Sequence, residues 1–131
     1  MFSETRKYKK QGHFFYKKGD VLKDVSKDVP QKPGVYYIFR LAKGHVDLVY
    51  IGVLPVGAIQ IDAIHVMAIE ELSLQSNWDK KMKDEHVDAL DIYWFVTQDE
   101  KHQDLPIYVE GLLMQRYFEV HGDVPPWNED F

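Results

Sequence analysis

Gly34-Val35-Tyr36-Tyr37-Ile38-Phe39-Arg40 and, a few residues on, Val46-Asp47-Leu48-Val49-Tyr50-Ile51 are the two runs whose reading decides the fold. Both are β-branched and aromatic, the composition that suits a pleated, half-buried strand. Ala42-Lys43-Gly44-His45 between them has loop composition, so the runs predict an antiparallel pair. Strand alternation puts Tyr36 with Ile38 on one face of the first, and Val46, Leu48 and Tyr50 on one face of the second. Two tyrosines can then meet across a hairpin.

Downstream, residues 53–57 are broken by Pro55 and Gly57 and read as a loop. Over 58–75, apolar Ile61, Ile64, Ala68 and Leu72 recur at three- and four-residue steps, which predicts an amphipathic helix. Residues 77–88 are polar, lysine-rich and without a useful period. Residues 92–97 are apolar on both faces and read as a buried strand. Asp104 has the chemistry of an N-cap with Pro106 in the first turn, and 107–121 predict a helix closed by Gly122, Pro125 and Pro126. The expectation is an α+β domain of order β-β-α-β-α, with a three-stranded, mostly antiparallel sheet flanked by helices.

The chain has 131 residues, 45% hydrophobic and 28% charged, enough for one compact domain and not for two. It contains no cysteine, which excludes disulfides, thiolate metal sites and cysteine nucleophiles and fits a reducing compartment. No apolar run approaches the length of a membrane helix, and the first ten residues lack a signal-peptide core, so the expectation is a cytoplasmic protein without membrane partners. The net charge of -5 conceals a split: residues 1–32 hold nine Lys or Arg against four Asp or Glu, a net +5, and residues 33–131 carry -10. Lys7, Lys9, Lys10, Lys17 and Lys18 alternate with Tyr8, Phe14, Phe15 and Tyr16, and Gly19-Asp20 is a turn signal. Residues 1–32 thus read as a basic arm or short hairpin. Its lysines either protect a solvated edge or contact nucleic-acid phosphates beside aromatic platforms.

One carboxylate is conspicuous. Glu110 falls on an apolar stripe through Ile107, Met114 and Tyr117, and an ionised group there needs a cation, a donor network or a marginal position. A lysine partner satisfies that need as well as a metal does. The six histidines show no paired metal-ligand spacing; His65 alone sits beside a helical apolar stripe, where a satisfied core-edge role competes with a functional one. There is no phosphate-binding glycine loop or nucleophile elbow.

Together these residues resemble the GIY-YIG nuclease superfamily. Gly34-Val35-Tyr36 and Tyr50-Ile51-Gly52, with thirteen residues between the tyrosines, are similar to the family's paired tripeptides, and Lys32-Pro33 to the approach to the first. Glu110 on a helix, then Tyr117, then Pro125-Pro126-Trp127-Asn128 resembles its ending. The likeness spans residues 32–128 and makes 33–131 the GIY-YIG-like domain. It implies phosphodiester hydrolysis in nucleic acid, DNA foremost, with one Mg2+ or Mn2+. Carried over, Tyr36 activates or orients water, Tyr50 donates to the phosphate, Glu110 holds the metal and Asn128 supports the site. The family's arginine on the first helix is replaced by Gln60, and residues 53–78 contain neither Arg nor Lys. Losing one such donor typically costs on the order of 100- to 1000-fold in rate. His65, one turn further on, can supply charge in its place.

Two functional expectations follow. In one the chain is a metal-dependent endonuclease using Tyr36, Tyr50, His65, Asn128 and Glu110. In the other it is a degenerate module of the same fold, binding nucleic acid through its lysines or a protein partner through the apolar segment 53–59. A small-molecule enzyme of unrelated chemistry is the third, lesser alternative.

Overall fold

The computed structural model describes residues 2–54 and 63–129, with side chains in 2–54 and 74–129. The elements are β1 (Gln11–Lys17), α1 (Leu22–Val25), β2 (Gly34–Ala42), β3 (His45–Leu54), α2 (Ala63–Asp84), β4 (Ala89–Val96) and α3 (Pro106–His121), after a single 3-10 turn at Ser3–Thr5. From β2 onward the order is β-β-α-β-α. The sheet is antiparallel throughout and has four strands, ordered β1-β4-β2-β3, which corrects the three-stranded expectation.

The added strand comes from the basic leading segment. Residues 11–17 pair along their whole length with β4, from Gln11 opposite Phe95 to Lys17 opposite Ala89. The segment is an edge strand, not a free arm or hairpin, because Phe14 and Tyr16 share one face and pack into the core, Tyr16 with no exposed surface. Of its alternating exposed residues, Gln11, His13 and Lys17 are polar, as an edge tolerates, and Phe15 is the apolar exception. β4 is then interior, between β1 and β2, which accounts for its apolar character on both faces.

Tyr50 reaches its position through an irregularity that strict alternation misses. Ile38 lies opposite Tyr50 but Phe39 lies opposite Leu48, so Val49 is an extra residue in β3, a β-bulge. Leu48 therefore joins one core, while Val49 and Tyr50 both turn to the other, where Tyr36 and Ile38 lie. The expected common face for Leu48 and Tyr50 is overturned, yet the meeting of the tyrosines holds: their ring centroids are 5.8 Å apart at 37°.

The tripeptide glycines are there for space. A Cβ on Gly34 would collide with the Phe95 carbonyl of β4. One on Gly52 would stand 2.6 Å from the Tyr50 ring and 3.0 Å from that of Tyr36. Gly52→Ala is expected to push the two rings apart and cost about 1–3 kcal/mol through overpacking. A thermal melt and the tyrosine ring signals in an NMR spectrum check this; unchanged ring shifts would contradict the packing argument.

Each sheet face carries a core. Val35, Tyr37, Ile51 and Phe95 pack against Val109, Leu113 and Met114 of α3, joined by Phe2 and Tyr8. Tyr16, Tyr36, Ile38, Val49 and Ile92 pack against Trp78 and Met82 of α2. α2 runs to Asp84, through the stretch whose polar composition predicted no element. Only about one side chain per turn there is buried, so its period is faint, and its end lacks a glycine signal: His86 takes the left-handed conformation (φ 54°), and the Val87 N–H donates to the Met82 carbonyl. The predicted helix start at 58, the loop after Leu54 and the inward residues Ile61, Ile64, Ala68 and Leu72 lie outside the described residues or side chains.

Asp104 does not cap α3. The N-cap position is Leu105, with no side-chain bond, while Asp104 accepts from the buried Tyr8 hydroxyl at 2.6 Å and pairs with Lys7 at 3.0 Å. Those donors hold its carboxyl below the usual range. Gly122 closes α3 in the left-handed conformation (φ 73°), as predicted.

Candidate functional site at the outer edge of the sheet

β3 is an edge strand, and the C-terminal turn satisfies part of its outer backbone. The Asn128 side chain accepts from the Ile51 N–H at 3.0 Å and donates to the Ile51 carbonyl at 2.8 Å, as a neighbouring strand would. Immediately before it, the Trp127 N–H donates to the carbonyl of the bulged Val49 at 2.8 Å. The Trp127 indole N–H donates to Glu85, which also binds Arg40, which in turn pairs with Asp47. Prolines 125 and 126 thus lead into a strap tied to β3, to the end of α2 and, through Arg40, to β2. Asn128→Ala leaves a buried N–H and carbonyl unpaired, and a loss of about 1–3 kcal/mol is expected. Urea unfolding checks this; a midpoint equal to wild type would show that the clamp contributes nothing.

Beside the strap lies a cleft of about 330 Å3, lined by Tyr50, Asn77, Lys81, Glu110, Trp127, Asn128 and Glu129. Three of the residues expected from sequence, Tyr50, Glu110 and Asn128, come together there from β3, α3 and the strap. Tyr36 stands behind Tyr50, only 7% exposed.

Glu110 reaches the cleft because of where it falls on α3. The buried stripe is Val109, Leu113 and Met114, with Tyr117 partly buried, and not one through Ile107, which is 71% exposed. At about 100° per residue, Glu110 still lies angularly between Leu113 and Met114, on the sheet side. The carboxylate is half-buried, and burial raises its pKa above the usual 4.5. The expected alternative of a lysine partner finds no counterpart among the described residues. Tyr36 is pushed well above 10, first by burial, with the Tyr50 hydroxyl and the Glu110 charge adding to it. Burial also raises Tyr50, with Glu110 adding and Tyr36 opposing. Both tyrosines are therefore neutral hydroxyls at physiological pH, able to donate and accept but not to act as phenolate bases.

The lysines of the leading segment are elsewhere. β1 is at the other edge of the sheet, three strand spacings or about 14 Å from β3. Lys9 and Lys10 are exposed before its start and Lys17 and Lys18 at its end, so they flank the strand and form no single patch. Lys7 is engaged by Asp104. The side chain of His65 and the whole of Gln60 lie outside the described residues, so the substitution of histidine for the family arginine has no geometry here. Of the other histidines, His13 binds Asp91 at 2.8 Å, His102 binds Asp99 and His121 stacks on Tyr117, all structural contacts at or near the surface.

Sequence reasoning missed Asn77, Lys81, Trp127 and Glu129 as cleft residues. Lys81 sits in the stretch without a period, and its only signal is its place three residues after the buried Trp78. Among the described residues no group of three or more His, Asp or Glu side chains is placed to hold a metal, and no helix is long and apolar enough to cross a membrane. Compared with known proteins, the chain matches no family model, no curated protein and no solved structure.

Proposed function

We propose that this chain is a GIY-YIG-like, metal-dependent nuclease domain that hydrolyses phosphodiester bonds in nucleic acid, DNA foremost, at the β3-edge cleft. The observation that carries the reading is Glu110: a half-buried carboxylate, raised by desolvation and without a cation partner among the described residues, facing the same cleft as Tyr50. A structural carboxylate on a sheet-facing helix position is normally paired. The lack of a described partner for this one supports a ligand's role.

The donor set suits a hard divalent ion. Mg2+ or Mn2+ is commonly bound through one or two carboxylates, with water and substrate oxygens completing the shell, so Glu110 would hold it without a preformed cage. When bound, such an ion supplies Lewis-acid polarisation of the phosphate and a counter-charge for Glu110. Tyr50 would donate its hydroxyl hydrogen to a phosphate oxygen. Tyr36, neutral and supported by Tyr50, would orient water and not deprotonate it. Asn128 touches no substrate on this reading; it fixes Ile51, and with it the strand that presents Tyr50.

A specific observation favours the second reading, a binding module without catalysis: Tyr36 is almost wholly covered and packs as a core residue. Incubation of plasmid, single-stranded and branched DNA with Mg2+ or Mn2+, comparing wild type with Glu110→Ala, separates the two. Nicking that requires metal and vanishes in the variant is the expected result. Absence of such nicking on every substrate leaves the binding module.

A further inference from the structure

We propose that Lys81 is the cation that meets the substrate phosphate in this cleft, and that Glu129 is a resident counter-ion which the phosphate displaces. The assignment rests on the phosphodiester reading of the cleft, but its own support is local. Of the three lysines near the end of α2, Lys80 and Lys83 are exposed, while the Lys81 side chain is 19% exposed and lines the cleft. Its direction is set by its neighbours: Trp78 and Met82 are buried against the sheet, which leaves Lys81 turned toward the β3 edge. The ammonium lies 5.5 Å from the centroid of the Trp127 ring, and Trp127 is itself fixed by Glu85 and Val49.

The ammonium's partner is a poor permanent one. Lys81 Nζ is 3.2 Å from Glu129 Oε1, and the Glu129 side chain is 69% exposed. Exposed pairs of this kind are weak and screened by salt. A largely covered cation tethered to an exposed carboxylate can exchange that carboxylate for another anion at little cost. The nonbridging oxygens of a phosphodiester suit a compact ammonium with three donors. Charge is also complementary across the cleft: Glu110 on one wall would repel phosphate unless a cation offsets it, and Lys81 is the described cation on the other. With no Arg or Lys in residues 53–78, the positive charge of α2 on this side begins with this residue.

The test uses the full chain and fluorescein-labelled single- and double-stranded oligonucleotides in EDTA, where binding is read without cleavage. Affinity is measured by anisotropy across a salt series. Lys81→Gln is expected to weaken binding to the same extent across sequences and to reduce the log–log salt slope by about 1. Lys81→Arg should retain most of both, and Glu129→Gln should bind more tightly than wild type. Unchanged affinity and slope in Lys81→Gln, at an unaltered melting temperature, overturns the assignment. Should that variant melt lower, Glu129→Gln decides, since it removes the competitor from an exposed position: tighter binding supports the exchange and unchanged binding overturns it. Wild type that binds oligonucleotide but never nicks with metal removes the nuclease reading and leaves Lys81 in place. Wild type that binds neither oligonucleotide removes both.

Discussion

Glu110→Gln is expected to abolish metal-dependent nicking and, at neutral pH, to leave the protein at least as stable as wild type. On the nuclease reading proposed above, the first effect follows from removing the half-buried carboxylate that would hold the divalent ion, a loss on the order of 100-fold or more in rate. The second follows from the direction of its ionisation. Burial raises the folded-state pKa above 4.5, so just above that value the folded chain retains a proton that the unfolded chain has lost. Stability therefore falls as pH rises through that window, and the penalty persists at pH 7. Gln keeps the shape and never ionises. Thermal melts of the two proteins should differ in favour of the variant at pH 7 and converge below pH 4.5. A variant less stable at pH 7 would mean that the carboxylate has a stabilising partner, and retained nicking would remove Glu110 from the site.

Removal of residues 1–18 is expected to unfold the domain outright. The segment supplies a whole strand along β4 and buries Tyr8 and Tyr16 to 1% or less. Truncating one buried aromatic to Ala typically costs about 3–5 kcal/mol, and the whole stability of a domain is about 5–15 kcal/mol. Two such residues and a ladder of hydrogen bonds exceed what the remainder can lose. Circular dichroism during a thermal ramp gives the answer: a cooperative transition near the wild-type midpoint in the truncated chain would show that β1 is dispensable. The charge of the segment is separable from its structure, because Lys9, Lys10, Lys17 and Lys18 are exposed. Changing all four to Gln should leave the melt nearly unchanged and expose whatever they contribute to salt-dependent binding.

The parts of the fold legible in the sequence are those with strong local chemistry. β2 and β3 announced themselves through β-branched and aromatic runs, and α3 through Pro106 at its start and Gly122 at its end. β1 reads from the sequence only as part of an arm or short hairpin, since an edge strand needs only one apolar face and Phe14 and Tyr16 are a short sample of it. The end of α2, from residue 77 on, was hidden because only Trp78 and Met82 there face the core. The bulge at Val49 leaves no compositional mark at all; it is visible only in the register between β2 and β3. In the site, Glu110 was legible because an apolar face makes a carboxylate conspicuous, even though Ile107 was wrongly included in the stripe. Tyr50 was legible from the hairpin as a partner of Tyr36, its role and that of Asn128 by resemblance alone, and their geometry rests on the bulge and on the side-chain clamp to Ile51. Lys81 was not legible, because a lysine in a polar stretch is the commonest of surface residues, and its place between the buried face of α2 and Trp127 shows only in the fold.

The pairing of β1 with β4 also sets a schedule for the nascent chain. The two strands are separated by more than seventy residues, so the edge strand made first finds its neighbour only after most of the sequence has been synthesised. The opposite edge waits longer, for Asn128, which follows β4 by more than thirty residues. The β1 border cannot close before β4 is available, nor the β3 border before Asn128. The hairpin of β2 and β3, whose contacts are local, can form long before either. During synthesis Phe14 and Tyr16 are accordingly exposed without a partner strand, and the lysines around them serve then as much as later to keep that edge from pairing with the wrong chain.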